Sequence, residues 1–320
     1  MDEVAETFNQ IICGGCSEGE VARWLLALNR KGPSVSEVAG AALALRRKMT
    51  PIRSSRPELL DTCGTGGDQL HTFNVSTAAA LVTAAAGVPV AKHGNRGASS
   101  RSGSAAVLVV LGVNIEADVA RVERCLDELG ICFCFAPLLH SAMKHVGPVR
   151  KKLGVPTIFN ILGPLINPAG ASRQLLGVGR AELRPLLAEA LVLLGTARSV
   201  VVHGSDGLDE VTLTGPTEVT EATGQVRHFR WAPADFGLGC IELKNIQVSG
   251  PEQSAATIRE VLAGQTGPAR DIIVANAAAA LWTAGAVPSP LAGAQRAAEA
   301  IDSDAASDLL SRLVALSHGN

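Results

Sequence analysis

The sequence predicts an α/β fold in which a mostly parallel central sheet, flanked by helices, follows an all-helical N-terminal stretch. Three observations predict it. The first sixty residues carry helical patterns only, short apolar runs alternate with helical stretches from residue 59 onward, and helices resume after Glu252 and run to the C-terminus. Strands joined through helices return in the same direction and form parallel sheets, whose ligands sit at the carboxyl ends of the strands. The 320 residues suffice for one large domain or two moderate ones.

Residues 18–29 have the amphipathic spacing of a helix, and Ser34-Val35-Ser36-Glu37 has capping-box spacing ahead of a second helix to about Lys48. Residues 59–63, 88–92, 131–135 and 199–203 are short apolar runs that read as strands. Residues 75–86, 104–111, 119–129 and 182–194, between them, read as helices. The most apolar stretches, 77–91 and 272–287, are alanine-rich and interrupted by Thr, Gly, Pro or Asn, which predicts buried helices and no membrane span. The closing helices are expected to cover the sheet.

Lys and Arg number 28 and Asp and Glu 30, a formal charge of -2 that gives no polyelectrolyte attraction to nucleic acid or to an anionic membrane. Binding must come from local sites. The first ten residues carry Asp2, Glu3 and Glu6 where a secretory signal needs a basic start and an apolar run, so a cytoplasmic location is expected. Seven scattered cysteines fit a reducing compartment. Cys13 and Cys16 have the spacing of half a zinc site, but Cys125, Cys132 and Cys134 do not supply the second pair, so two free thiols at a turn are expected.

The first predicted strand ends in Asp61-Thr62-Cys63-Gly64-Thr65-Gly66-Gly67-Asp68, and Thr72-Phe73-Asn74-Val75-Ser76-Thr77 opens the next helix. Glycines let backbone N–H groups approach phosphate oxygens, and a helix start adds unpaired N–H groups and the positive end of the dipole. This is an anion cradle. It is neither common nucleotide loop: Gln69 breaks the dinucleotide glycine pattern, and no Gly-Lys-Ser/Thr follows. The second strand leads into residues 92–104, where Lys92, Arg96, Arg101 and four serines crowd thirteen positions. At a strand's carboxyl end such a cluster points to phosphate; elsewhere it would be a solvated face.

The strand at 199–203 feeds Gly204-Ser205-Asp206-Gly207-Leu208-Asp209-Glu210. Adjacent carboxylates point to different sides of an extended chain, so Asp209 and Glu210 could hold two cations or one from two directions, and magnesium prefers such hard oxygens beside phosphates. An acidic surface turn is the plainer alternative. Farther along, helical spacing in 139–153 sets His140, Met143, Gly147 and Arg150 on one face, with Pro148 bending or restarting the helix. Arg150 either clamps a planar carboxylate through two parallel hydrogen bonds or belongs to the solvated run with Lys151 and Lys152.

Gly64-Thr65-Gly66-Gly67-Asp68, Asn74-Val75-Ser76-Thr77, Lys92-His93-Gly94-Asn95-Arg96, Phe159-Asn160-Ile161-Leu162-Gly163-Pro164-Leu165 with Asn167-Pro168, and Leu208-Asp209-Glu210 together resemble the anthranilate phosphoribosyltransferase family, in order and over almost the whole chain. The resemblance implies a small all-helical domain, 1–61 with a helical insertion at roughly 138–157, and a larger α/β domain, 62–137 and 158–320. It implies phosphoribosyl diphosphate bound by Gly64, Gly67, Asp68, Thr72, Asn74, Val75, Ser76, Thr77, Lys92, His93, Gly94, Asn95, Arg96, Gly97, Ala98, Ser99, Ser100 and Ser104. Anthranilate would meet Asn95 and Arg150, with Gly64 near its ring and His93, His140 and Met143 along its path. Ser76, Asp209 and Glu210 would hold Mg2+. A homodimer is implied as well, although against the family's pattern the chain starts inside the first helical hairpin, and Ser141 stands where proline is common. Two alternatives are a pyrimidine nucleoside phosphorylase of the same fold, against which Asp209-Glu210 and the 92–96 segment speak, and a non-catalytic nucleic-acid binder, for which the charge leaves no footprint.

Overall fold

The computed structural model describes residues 1–96 and 103–319. Three helices, α1 (Asp2–Ile12), α2 (Glu18–Lys31) and α3 (Val35–Arg46), come first. Then β1 (Leu60–Gly64), α4 (Val75–Ala85), β2 (Val90–Gly94), α5 (Ser104–Leu111), α6 (Val119–Leu129) and β3 (Ile131–Phe135) alternate. Short helices α7 (Ala136–Leu139), α8 (Gly147–Leu153) and α9 (Phe159–Leu162) lead to β4 (Arg173–Gly177), α10 (Leu183–Leu193) and β5 (Arg198–Gly204). A hairpin, β6 (Thr217–Ala222) and β7 (Val226–Trp231), precedes α11 (Pro251–Leu262), α12 (Pro268–Thr283), α13 (Pro290–Asp302) and α14 (Ala305–His318).

The seven strands form one sheet in the order β3-β2-β1-β4-β5-β6-β7, parallel from β3 to β5 and antiparallel for the last two. The fold class is thus the expected one, with a mostly parallel sheet. Each of the four expected strands is present, displaced by at most two residues, whereas β4, β6 and β7 are additional. Both α2 and α3 begin with capping boxes: Glu20 Oε2 accepts from the Ser17 amide at 2.9 Å and Glu37 Oε2 from the Ser34 amide at 2.8 Å. The apolar stretch 77–91 is not a single helix. Gly87 at φ 91° ends α4, and the chain enters β2 at Val90.

Alternation along the strands divides the core in two. Leu60, Leu175, Val200 and Val202 face a cluster with α4, α6 and the C-terminal helices, including Leu81, Leu126, Ile272 and Leu309. Cys63, Leu176 and Val201 face the other cluster, with Phe8, Leu25, Leu45, Val149, Phe159 and Leu187. The closing helices therefore cover one face, and the N-terminal helices with α8, α9 and α10 cover the other. The stretch 139–153 is broken, a 3-10 turn at Ser141–Lys144 preceding α8, whose first turn holds Pro148. No helix among the described residues is long and apolar enough to cross a membrane.

Candidate active site

Strand order reverses beside β1: the chain moves outward through β2 to β3, then returns to the opposite side of β1 with β4. The loops leaving the carboxyl ends of β1 and β4 therefore diverge and open a crevice, where α/β sheets bind ligands. A cavity of about 430 Å³ occupies it.

Its floor is built from glycines. Gly66 and Gly67 take φ of 67° and 89°, a region closed to most side chains, and this turns the chain from β1 toward α4. A side chain at Gly64 would put a Cβ 2.7 Å from Asp209 Oδ2, and one at Gly177 would collide with the Asp209 carbonyl. The ends of β1 and β4 thus approach the loop after β5 closely because Gly64 and Gly177 carry no side chain. Backbone ties join them, since the Thr65 amide donates to the Gly177 carbonyl at 2.9 Å and the Gly66 amide to Asp209 Oδ2 at 2.9 Å.

Asp209 and Glu210 reach back to the start of α4, where Glu210 Oε1 accepts from the Ser76 amide at 3.1 Å. Their carboxyls share one corner with Asp68. Burial first, then the Asp68 charge, raises Asp209 to about 7; burial, then Asp209, raises Glu210 to about 8. Lys92, 4 % exposed, partly offsets the rise at Glu210, donating from Nζ to the Thr62 carbonyl at 2.5 Å and to Ser76 Oγ at 3.3 Å. Burial lowers the Lys92 pKa, while the buried Asp61 opposes that shift, and Asp61 Oδ1 in turn accepts from the His93 amide at 3.1 Å. Hard oxygens from Ser76, Asp209 and Glu210, on carboxyls whose charged forms burial disfavours, suit a divalent cation that would favour those forms. Among the described residues no group of three or more acidic, His or Cys side chains is arranged to hold a metal ion by itself.

A second group of lining residues has different chemistry. Arg150 and Met143 line it with Phe159 and Asn160. The Arg150 guanidinium lies 5.6 Å from the Phe159 ring centre and donates to Asn160 Oδ1 at 3.3 Å, while Lys151 and Lys152 are exposed. Arg150 is therefore set apart from the solvated run. His93 lines the cavity and fixes two tautomers. The Gly163 carbonyl, 3.0 Å from His93 Nδ1, can only accept, so Nδ1 carries the proton; His93 Nε2 then accepts, at 3.0 Å, the proton that His140 Nε2 must donate. Burial, reinforced for His93 by His140, holds the two at about 3 and 4, so both are neutral near pH 7.

The cavity brings together Gly64, Gly67, Asp68, Thr72, Asn74, Val75, Ser76, Lys92, His93, Gly94, Asn95, Arg96, Ser104, Met143, Arg150, Asp209 and Glu210. Two expected positions do not line it. His140 stands behind His93, and Thr77 is rotated by the first turn of α4 into the core with 1 % exposure. Arg96 is exposed and paired with Glu116 at 3.1 Å. Gly97, Ala98, Ser99 and Ser100 lie outside the described residues. Sequence reading missed Gly177 and Gly179, although Leu175-Leu176-Gly177-Val178-Gly179 repeats the pattern of an apolar run ending in glycines. It also passed over Asn160, whose Oδ1 both receives Arg150 and accepts from the Thr157 amide at 2.9 Å.

Comparison with known proteins bears on the whole chain. The glycosyl transferase family's helical bundle domain matches residues 1–49 and its a/b domain matches residues 56–307. An anthranilate phosphoribosyltransferase from Rhodospirillum rubrum is 52% identical over 98% of this chain and 90% of its own length, and one from Rhodopirellula baltica is 50% identical over 98% and 92%. Among solved structures, anthranilate phosphoribosyltransferase from Thermus thermophilus superposes with a TM-score of 0.94 at 44% identity, covering 99% of this chain and 95% of its own. The Saccharomyces cerevisiae enzyme in complex with PRPP and Mg gives 0.88 at 32% identity, covering 95% and 86%.

Proposed function

This chain belongs to the glycosyl transferase family, among its anthranilate phosphoribosyltransferases, and on that premise we propose that it transfers the phosphoribosyl group of phosphoribosyl diphosphate to the amine of anthranilate, releasing diphosphate. One observation carries the reading: a single cavity is lined both by a glycine cradle with Lys92 and a carboxylate pair and by an arginine on an aromatic face. That pairing suits a substrate with two phosphate groups beside a flat carboxylate-bearing ring.

In the reaction the amine nitrogen forms the bond to ribose C1, the C1–O bond breaks with its electrons leaving on diphosphate, and the amine gives up a proton. The aryl amine is already neutral and nucleophilic, so the residues act by positioning and by neutralising charge. Gly64 and Gly67, without side chains, would let phosphate oxygens approach the turn into α4, and Lys92 would supply positive charge beside Ser76. Ser76, Asp209 and Glu210 would hold Mg2+, which when bound contributes charge neutralisation at the leaving diphosphate. Arg150 would take the anthranilate carboxylate against Phe159, with Asn95, His93 and Met143 shaping the approach and His140 fixing His93.

The same reading extends to the wider organisation. Residues 1–61 with the insert 138–157 act as the helical unit, and 62–137 and 158–320 act as the α/β unit that binds phosphoribosyl diphosphate; Phe8 and Val149 of the first share one apolar cluster with Cys63, Leu176 and Val201 of the second. A cytoplasmic homodimer is part of the proposal, which sedimentation at graded concentrations checks. For the chemistry, diphosphate released should equal anthranilate consumed, mole for mole, with both substrates and Mg2+ present. Release of diphosphate without anthranilate, or a requirement for inorganic phosphate with a nucleoside, would overturn the reading.

A further inference from the structure

Asn276 is a polar residue in an otherwise apolar stretch of α12, between Ile272 and Leu281, and its exposure is 0%. A buried amide is tolerated where its hydrogen bonds are made, and this one makes three. Nδ2 donates to the Ile272 carbonyl of its own helix at 2.9 Å and to the Val211 carbonyl at 2.9 Å, while Oδ1 accepts from the Val211 amide at 2.9 Å. Both backbone polar groups of Val211 are thus taken by one side chain. Residues 205–216 run between β5 and β6 outside the ladder, so Val211 has no strand neighbour, and Asn276 stands in for one.

Val211 follows Glu210 directly. On the other side, the Asp209 carbonyl packs against Gly177 with no room for a Cβ. The two carboxylates are therefore held between a glycine of β4 and an asparagine of α12, neither of which lines the cavity. We propose that Asn276 is a positioning residue for the Asp209-Glu210 pair, setting the geometry in which they receive Mg2+ and diphosphate. This rests on the metal role assigned above. A misplacement of about 1 Å at such a site is costly even when the ligands themselves are intact.

The alternative is that Asn276 only stabilises α12, and Thr283 provides the control. It is equally buried, and its hydroxyl donates at 2.7 Å to the Ala279 carbonyl within the same helix, not to the loop that carries Val211. Phosphoribosyl diphosphate binding is followed by calorimetry across a Mg2+ series, without anthranilate, for the full chain and for Asn276→Asp, Asn276→Leu and Thr283→Ala. Asn276→Asp keeps the acceptor for the Val211 amide and loses the donors; Asn276→Leu loses both. Each should raise the Mg2+ needed for half-saturation, about tenfold or more, as for other outer-shell partners of metal ligands, with Leu the worse. The anthranilate KM should stay near the parent's, and Thr283→Ala should leave the Mg2+ series unchanged. Equal Mg2+ requirements in parent and Asn276 variants, or an equal shift in Thr283→Ala, overturns the proposal. Binding in the parent that ignores Mg2+ defeats the metal role and this inference together, so the two failures are distinguishable. Amide exchange needs no variant: Val211 should exchange in the parent as slowly as the core of α12, and fast exchange there overturns the proposal even if no Asn276 variant folds.

Discussion

A single guanidinium, that of Arg150, gives the cavity a group suited to a carboxylate. Arg150 sits on Phe159 with its own run of lysines turned to solvent, so Arg150→Ala should damage anthranilate use selectively. A hydrogen bond to a charged group contributes roughly 1.5 to 3 kcal/mol, a loss of about tenfold to 150-fold in kcat/KM for anthranilate, with phosphoribosyl diphosphate affinity nearly intact. Arg150→Lys belongs between the two, because an ammonium keeps the charge without the planar fork. Kinetics within error of the parent for both variants would return Arg150 to the solvated run. Gly177→Ala tests the acidic pair: overpacking against the Asp209 carbonyl should cost about 1–3 kcal/mol and weaken diphosphate binding, read by melting and calorimetry, and a neutral substitution there would contradict the close approach. The histidine pair carries a pH signature. His93 and His140 are held at about 3 and 4 against an ordinary value of 6.5, so the unfolded chain takes up protons first, and stability falls as pH drops from 6.5 toward 4. Asp209 and Glu210, raised to about 7 and 8, act in the opposite direction as pH falls and flatten the net curve. The difference between parent and His140→Phe isolates the histidine part: the variant should lose less stability between pH 6.5 and 4.5, by up to ~1.4 kcal/mol per pH unit for each group removed from titration. Parallel curves would mean that the pair does not titrate as described.

Elements were legible where local chemistry agreed with packing. The Ser34 capping box could be read from spacing alone, and Ser34→Ala should cost about 1 kcal/mol, lowering the melting temperature by a few degrees without changing substrate affinities. A substrate effect there would link α3 to the site more tightly than the packing suggests. Strands β1, β2, β3 and β5 showed themselves as apolar runs because both faces of a parallel sheet are covered. Strand β4 escaped because only Leu175 and Leu176 mark it; its status comes from lying between β1 and β5, a long-range fact. The hairpin escaped for another reason. In β7 the residues Arg227, His228 and Arg230 are exposed, and an edge strand guarded by charge reads as a loop. The helical face expected across 139–153 was read through a break, although Met143 and Arg150 still reach the cavity from separate turns.

Seen whole, the molecule places its site where strand order reverses, and the glycine loop and acidic pair were legible because each follows an apolar run in the chain. What the sequence withheld is the support behind them: Gly177 and Asn276 act through contacts with residues 32 and 65 positions away. Such pairs leave no local pattern, since a glycine after a strand and an asparagine in a helix each have many ordinary uses. On the proposed function, this one cavity joins a diphosphate-bearing sugar to anthranilate. Anthranilate fluorescence, followed continuously with the purified full chain, tests it most directly. The signal should decay only when phosphoribosyl diphosphate and Mg2+ are both present, and should hold steady when either is omitted or when Asp209→Asn replaces the parent. A steady signal in the complete mixture, or decay that needs neither the diphosphate substrate nor the metal, would contradict the account.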